Sequence, residues 1–191
     1  MIATDALLAA LRTHQTFDAT EGKHVEHSIE LLVNSPQDWW RRTRAGGHAT
    51  ASAWVTDAGR QQVLLLHHAK IGRWLQPGGH IDENDLSPAE AALREAREES
   101  GLAGLALVDG RLFDVDVHSI PARGQEAAHL HYDMRYRVIA TDRQVRLSNE
   151  SLGFRWINVL SLCDDDQEAG IARMARKTNS PYEHRRSSQG L

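Results

Sequence analysis

The chain of 191 residues has the size of a single domain, with room for one modest extension. Its 41% hydrophobic and 25% charged residues are ordinary for a folded globular protein, which excludes disorder as the dominant state. The 22 basic and 26 acidic side chains give a net charge of −4, so no basic excess is available to bind the phosphate backbone of a nucleic-acid duplex.

Cysteine chemistry is limited to one residue, Cys163. A single cysteine excludes an intrachain disulfide framework and a multi-cysteine zinc site. No apolar run approaches the roughly 20 residues of a membrane helix, and the apolar segment 7–11 is too short for the core of a secretory signal. We therefore expect a soluble protein of the cytoplasm, with no membrane partner.

Residues 1–46 are predicted to form a helical N-terminal extension. Apolar side chains recur there at helical spacing in two segments: Leu7, Leu8 and Leu11, then Val25, Ile29 and Leu32. The segment 35–38, Ser-Pro-Gln-Asp, predicts the start of a third helix, because serine caps helices and proline is tolerated at the first helical position. About 45 residues would make only a marginal core alone, so we expect the extension to pack on the main domain.

Strands and helices are mixed in the rest of the chain, which predicts an α+β main domain over residues 47–178. The predicted strands are 51–56, 63–67, 115–119, 130–140 and 154–159, and the predicted helices are 88–100 and 164–177. Residues 179–191 are polar and are predicted to be a flexible tail.

The helix predicted over 88–100 has clear end signals and an unusual charge pattern. Ser87 and Pro88 are typical of a helix start, and Gly101 suits the position just past the end. Glu95, Glu98 and Glu99 fall within an arc of roughly 100° near the C-terminal end, where they repel one another and oppose the helix dipole. A solvated helix face would explain a bare acidic run. A hard divalent cation such as Mg²⁺ would explain the clustering, because it binds carboxylate oxygens.

The segment from Gly79 to Leu102 resembles the signature of the Nudix hydrolases. That signature reads Gly, five residues, Glu, seven residues, Arg-Glu, an apolar residue, any residue, Glu-Glu, any residue, Gly and an apolar residue. Residues 94–102, REAREESGL, match its second half completely. The first half departs from it, because one extra residue separates Gly79 from Arg94, and Asp85 or Leu86 stands where the signature has its first glutamate.

The resemblance implies a Nudix-type α/β/α sandwich around a mixed sheet and hydrolysis of a nucleoside diphosphate linked to another group. It implies Mg²⁺ or Mn²⁺ as the cofactor, and a small-molecule nucleotide as the partner. By position, it makes Gly79, Glu95, Glu98 and Glu99 the metal ligands, with Arg94 orienting a glutamate. A further carboxylate from a late loop is matched by Glu150, so the catalytic set becomes Arg94, Glu95, Glu98 and Glu150.

Two predicted strands carry polar side chains at every second position: Asp114, Asp116 and His118 on one, and His129, His131, Asp133 and Arg135 on the other. If the strands are neighbours, the two rows form a solvated sheet face, a substrate-pocket wall or an accessory metal site. We favour the pocket wall, with His131 and Arg135 as substrate-binding residues. Trp74 is the preferred aromatic for stacking on a base, although core packing is the commoner role of tryptophan.

Two other functions are compatible with parts of this pattern. An isopentenyl-diphosphate isomerase shares the fold that the resemblance implies, but it needs a reactive cysteine, and Cys163 has no basic neighbour in the sequence to lower its pKa. A non-catalytic Nudix-like nucleotide sensor fits the altered glycine loop, but not the complete spacing of Arg94, Glu95, Glu98 and Glu99. The oligomeric state is left open, with a homodimer as one alternative.

Overall fold

The structure is a computed structural model that describes residues 4–164 and 168–180. The elements in chain order are α1 (Thr4–Thr13), α2 (Ala19–Asn34), β1 (Gly47–Asp57), β2 (Gln62–His68), β3 (Trp74–Leu75), β4 (Gly78–His80), α3 (Pro88–Ser100), β5 (Leu105–Ile120), β6 (His129–Ala140), β7 (Ser151–Asn158), a short 3-10 helix (Val159–Leu162) and α4 (Ala169–Thr178). None of the helices in the described part of the chain is long and apolar enough to cross a membrane.

Seven strands form one mixed sheet. Its main order is β3-β2-β1-β6-β5, with β4 paired to β1 and β7 paired to β2. The β1–β6 pair is parallel, whereas β1–β2, β1–β4 and β5–β6 are antiparallel. With helices packed on the sheet, this architecture confirms the predicted α+β fold with a mixed sheet.

Alternate side chains of β1 enter two separate apolar clusters, which shows that α3 and α4 lie on opposite faces of the sheet. The odd-numbered residues from Ala49 to Val55 pack with apolar residues of α1, α2 and α3. Trp54 points to the other face and packs with Ile171 and Met174 of α4. The N-terminal helices therefore share a core with the sheet, as expected for an extension packed on the main domain.

The ends of α3 confirm the sequence signals. The Ser87 side chain accepts a hydrogen bond from the Glu90 backbone N–H at 3.2 Å, and Pro88 occupies the first turn. Gly101 closes the helix with a φ of 65°, in the left-handed region that favours glycine.

Four details of the secondary structure differ from the prediction. Residues 36–40 form turns instead of a third helix, and the Trp39 indole packs in the core. Strand β5 covers Leu105–Ile120, whereas only residues 115–119 were predicted. The prediction was too short because irregular pairing between Leu107 and Asp114 interrupts the alternation of side chains. Strands β3 and β4 are too short to show an alternating pattern in the sequence, so they were not predicted. The final helix begins at Ala169, so Asp164 lies outside it. Residues 165–167 and 181–191 are outside the described residues, and the second range includes most of the predicted tail.

Candidate active site

The carboxylates of α3 lie directly against β4. Glu99 is buried, and its Oε2 accepts a hydrogen bond from the Gly78 backbone N–H at 3.1 Å. A Cβ atom at Gly79 would lie 2.6 Å from the carboxyl carbon of Glu95, a distance that real Cβ atoms do not show. Gly79 therefore lets the Glu95 carboxylate approach the β4 backbone, whereas a Cβ atom at Gly78 would collide with Ser52 of β1.

Burial and the repulsion between neighbouring carboxylates both disfavour the ionised forms of Glu95 and Glu99. Burial raises the pKa of Glu99 to about 8, and although the Gly78 N–H opposes this shift, the charges of Glu95, Glu150 and Glu98 add to it. Burial also raises the pKa of Glu95, where the hydrogen bond from Arg94 opposes the shift and the charges of Glu98 and Glu150 favour it. Four carboxylates thus act on one another in a small volume.

Glu150 reaches this group from the turn before β7. The Ser148 backbone N–H donates a hydrogen bond to the carbonyl of Glu99 at 3.2 Å, and the Glu150 N–H donates to the Ser148 hydroxyl at 3.3 Å. The Ala69 N–H donates to the Glu150 carbonyl at 2.9 Å. These bonds tie the turn to the C-terminal end of α3, so the structure brings Glu150 close to the helix carboxylates.

Arg94 lies at the centre of the polar contacts around α3. Its guanidinium donates hydrogen bonds to Glu95 at 2.9 Å, to Glu98 at 3.3 Å and to the carbonyl of His80 at 2.9 Å. Both oxygens of Asp85 also accept from it. Asp85 is only 8% exposed, whereas Leu86 is 78% exposed. Of the two residues at the altered signature position, Asp85 is therefore the one inside the site.

Trp74 lies elsewhere, beside an open groove of about 420 Å³ lined in part by Leu65, Arg155 and Ile157. The His67 ring stacks on the Trp74 indole with a centroid distance of 4.9 Å, and the Arg155 guanidinium carbon lies 4.3 Å from the indole centroid. The groove lies on the α4 side of the sheet, because Leu65 and Ile157 belong to the apolar cluster under α4, so the structure does not bring Trp74 to the carboxylates of α3.

The two polar rows do meet, because β5 and β6 are neighbours with His118 opposite His131 and Asp116 opposite Asp133. Their side chains lie on the sheet face opposite α3, since Met134 and Tyr136, between them in sequence, pack in the α3 cluster. The structure therefore does not bring His131 and Arg135 to the carboxylates of α3.

The prediction that Arg135 binds substrate needs correction. Arg135 is only 5% exposed. Its guanidinium forms ion pairs with Asp133 at 2.8 Å and with Asp114 and Asp116 at 3.2 Å each. An anionic substrate is not needed to neutralise this cation, because three aspartates already do so.

Sequence reasoning missed most of the partners of this buried network. Asp114 also accepts hydrogen bonds from Arg173 at 2.8 Å and from Lys177 at 2.9 Å, both on α4. Lys177 in turn contacts Glu21, a fully buried residue of α2. The only available signal was the presence of charged residues on the apolar side of two amphipathic helices. Such a signal does not identify the residues with which these charged side chains form ion pairs.

Comparisons with known proteins agree with the fold and the signature. The NUDIX domain family model matches residues 46–177. An asymmetrical bis(5'-nucleosyl)-tetraphosphatase of Rattus norvegicus is 32% identical over 103 residues, which cover 53% of this chain and 66% of that protein, just under two thirds of its length.

Solved structures resemble the same region. A C. elegans Ap4A hydrolase binary complex aligns with a TM-score of 0.55 at 18% identity, covering 71% of this chain and 98% of that one. A NUDIX-family hydrolase from Clostridium perfringens aligns with a TM-score of 0.50 at 27% identity, covering 69% and 96% of the two chains. Because the family model spans well over half of its residues, this chain belongs to the Nudix family.

Proposed function

We propose that this chain is a divalent-metal-dependent pyrophosphohydrolase that cleaves a nucleoside diphosphate linked to another group. The observation that carries this proposal is the convergence of Glu95, Glu98, Glu99 and Glu150 around the Gly78–Gly79 backbone, with Arg94 as their hydrogen-bonded cation. Family membership alone does not fix an activity, because one fold hosts many functions.

The donor set fits Mg²⁺ or Mn²⁺. Carboxylate and backbone carbonyl oxygens are the ligands that these hard cations prefer, and the mutual repulsion seen at Glu99 is what a bound cation relieves. We propose Glu95, Glu98, Glu99 and the carbonyl of Gly79 as the metal ligands. A bound ion would shield the pyrophosphate and lower the pKa of a water molecule.

The chain's own residues would position the reacting groups. Arg94 holds the carboxylates of Glu95 and Glu98 in fixed orientations, and Asp85 holds Arg94. Glu98 and Glu150 are the exposed carboxylates of the group and can accept a proton from an attacking water. Glu99 is too deeply buried for that role, so we assign it to metal binding.

For the substrate, we propose a dinucleoside polyphosphate as the first compound to test. The rat relative is named as a bis(5'-nucleosyl)-tetraphosphatase, although the match spans only part of that protein. Trp74 stays the proposed base-stacking residue, and a base there would replace the Arg155 guanidinium or the His67 ring on the indole. Cytoplasmic location and homodimer formation stay predictions.

The alternative functions are weaker in this geometry. Cys163 is half-buried between the 3-10 helix and α4, and its Sγ donates to the Val159 carbonyl at 3.7 Å. This position lies in the cluster on the sheet face opposite α3, so Cys163 cannot act beside the carboxylates as an isomerase mechanism requires. A sensor would not need the complete carboxylate set.

The test is hydrolysis of a panel of nucleotide derivatives with Mg²⁺ or Mn²⁺, comparing wild type with Glu98→Gln. We expect kcat to fall by at least about 10²-fold, the scale for losing an electrostatic catalytic group. Glu90→Gln is the matched control, because Glu90 is exposed on the first turn of the same helix. Near-normal turnover of Glu98→Gln would contradict the metal assignment, and nucleotide binding without turnover by the wild type would favour the sensor.

A further inference from the structure

Five histidines gather on the sheet face opposite α3, and the proposed hydrolase site uses none of their side chains. We call this group the histidine cluster: His48 on β1, His80 on β4, His118 on β5, and His129 and His131 on β6. The His48 ring centroid lies 4.9 Å from that of His131, 5.1 Å from that of His80 and 5.3 Å from that of His129. The antiparallel pairs β1–β4 and β5–β6 and the parallel pair β1–β6 bring these side chains together.

His48 occupies the centre of the cluster and is the unexplained residue. It is 1% exposed, yet neither ring nitrogen has a hydrogen-bond partner among the described residues. A buried imidazole without a partner costs free energy, on the order of 1–3 kcal/mol. Native structures rarely keep such a group unless it interacts with something else.

The cluster is chemically ready to bind a metal ion. Burial lowers the pKa of His48 to about 4 and that of His131 to about 2, with the neighbouring histidines acting in the same direction. Neutral imidazoles have a free lone pair, which is the form that coordinates metals.

The spacing of the nitrogen atoms is close to that of a coordination site. One ring nitrogen from each of His48, His80 and His131 lies within 4.8 Å of the others. Zinc–nitrogen bonds of about 2.0–2.1 Å at tetrahedral angles place ligand nitrogens about 3.4 Å apart, so modest side-chain rotations would close the site. His129 Nε2 is already 3.3 Å from His131 Nε2.

We propose that His48, His80 and His131 form a binding site for one transition-metal ion of the Zn²⁺ type, separate from the carboxylate site on α3. Three imidazoles select Zn²⁺, Co²⁺ or Ni²⁺ over Mg²⁺, because nitrogen ligands suit borderline metals and Mg²⁺ prefers oxygen. Three protein ligands would leave a fourth position for water or another ligand. The His129 ring contacts the rings of both His48 and His131.

The ligands come from three different strands, so the ion would connect β1, β4 and β6. Strand β4 has only three residues, and Gly79, which lies against Glu95, directly precedes His80. A bound ion would therefore hold the short strand that supports the helix carboxylates. We expect it to stabilise the fold whether or not the hydrolase site is intact.

The first experiment measures metal binding by chelator-treated protein. Calorimetric titration with Zn²⁺ should give one site per chain, and Co²⁺ should give the visible absorption of a tetrahedral nitrogen-ligated ion. At a Zn²⁺ concentration 100 times the Kd, the melting temperature should rise by about 5–10 °C. Absence of a stoichiometric site, or binding with no rise in melting temperature, would overturn the proposal.

Variants then locate the site. His80→Gln and His131→Gln should each weaken Zn²⁺ binding by at least about 100-fold, since even partners that only orient a metal ligand cost 10–100-fold. His27→Gln is the matched control, because His27 is an exposed residue of α2 outside the cluster. Glu98→Gln should bind Zn²⁺ normally. If Glu98→Gln abolishes Zn²⁺ binding, or if folded His80→Gln and His131→Gln both bind like wild type, the ion lies elsewhere and the proposal fails.

Discussion

Both carboxylate oxygens of Asp85 accept hydrogen bonds from the Arg94 guanidinium, at 3.0 Å from Nε and 2.9 Å from Nη2. The Asp82 backbone N–H donates to the same carboxylate at 2.8 Å. Aspartate is one methylene shorter than the glutamate of the Nudix signature, and the loop here is one residue longer. In this chain the longer loop and the aspartate occur together with a two-oxygen contact to Arg94.

Replacing Asp85 should loosen the helix carboxylates indirectly. In Asp85→Asn, Arg94 loses a charged bidentate partner, and Glu95 and Glu98 lose their fixed orientation. We expect the Mg²⁺ concentration for half-maximal activity to rise about 10–100-fold, as for other changes beside metal ligands. The control is Leu86→Ala at the exposed neighbouring position, which should leave metal dependence unchanged. Equal behaviour of the two variants would show that Asp85 does not support the site.

Replacing the buried carboxyl of Glu99 by an amide should stabilise the metal-free protein at pH 7 while it destroys activity, because folding no longer has to protonate a group that is ionised in the unfolded chain. Burial and the charges of Glu95, Glu150 and Glu98 disfavour the ionised Glu99 carboxylate, and a glutamine can still accept the Gly78 N–H. We expect Glu99→Gln to raise the free energy of unfolding by about 0.5–2 kcal/mol, a usual gain when functional strain is removed. Urea unfolding with chelator present measures this, and Glu90→Gln should show no such gain. A destabilised Glu99→Gln would argue against repulsion at this position.

The aspartate network under α4 should determine stability in acid. Burial alone would raise the pKa of Asp114, but Lys177, Arg173 and Arg135 together lower it to about 2. The pKa of Asp114 is lower in the folded protein than the value of about 3.9 expected in the unfolded chain, so the ionised carboxylate stabilises the fold above about pH 3.9. This stability is lost as the pH falls from about 4 to 2. Asp114→Asn should cost about 3–5 kcal/mol at pH 7, because three buried cations each lose one anionic partner, and should flatten the pH dependence below 4.

The control for this prediction is Asp109→Asn on the same strand. Asp109 forms a partly exposed ion pair with Arg137 at 2.7 Å, and such pairs contribute about 0–1 kcal/mol. Urea unfolding at several pH values compares the two variants. Equal losses at pH 7 would show that the Asp114 network contributes no more than a surface pair.

Trp74 should contribute to substrate binding more than to the chemical step. If its indole stacks on a base in the groove, Trp74→Ala should raise KM by at least about 5-fold, since stacking contributes about 1–3 kcal/mol, and kcat should change little. Trp74→Phe keeps an aromatic face and should recover most of the affinity. If Trp74→Ala and wild type share one KM for every hydrolysed nucleotide, the groove does not hold the base.

The helix of the signature could be predicted from the sequence because its signals are local. Ser87, Pro88 and Gly101 mark its ends, and the 3.6-residue period places Glu95, Glu98 and Glu99 on one side. The alternation of the two polar strand rows also showed which of their side chains share a face, whereas only the structure shows that the two strands are neighbours. In each case, residues close in sequence carry the pattern.

The role of the polar rows could not be predicted in the same way. A period of two shows which side chains share a face, but it does not show which helix covers that face. Arg135 is covered by α4, whose Arg173 and Lys177 are distant in sequence. His48 was overlooked because a single histidine beside two glycines has no motif. Its alternation with Thr50 and Ser52 was the signal available.

The contact between Glu21 of α2 and Lys177 of α4 has a practical consequence for any shortened form of the chain. The matched family region ends at Lys177 and excludes Glu21. Cutting at residue 46 would leave the Lys177 ammonium without one of its acceptors, and it would uncover the apolar residues that Leu11 and Leu32 shield. We therefore expect a form cut at residue 46 to be less stable than the full chain, because α2 packs on β5 and supplies one acceptor of Lys177.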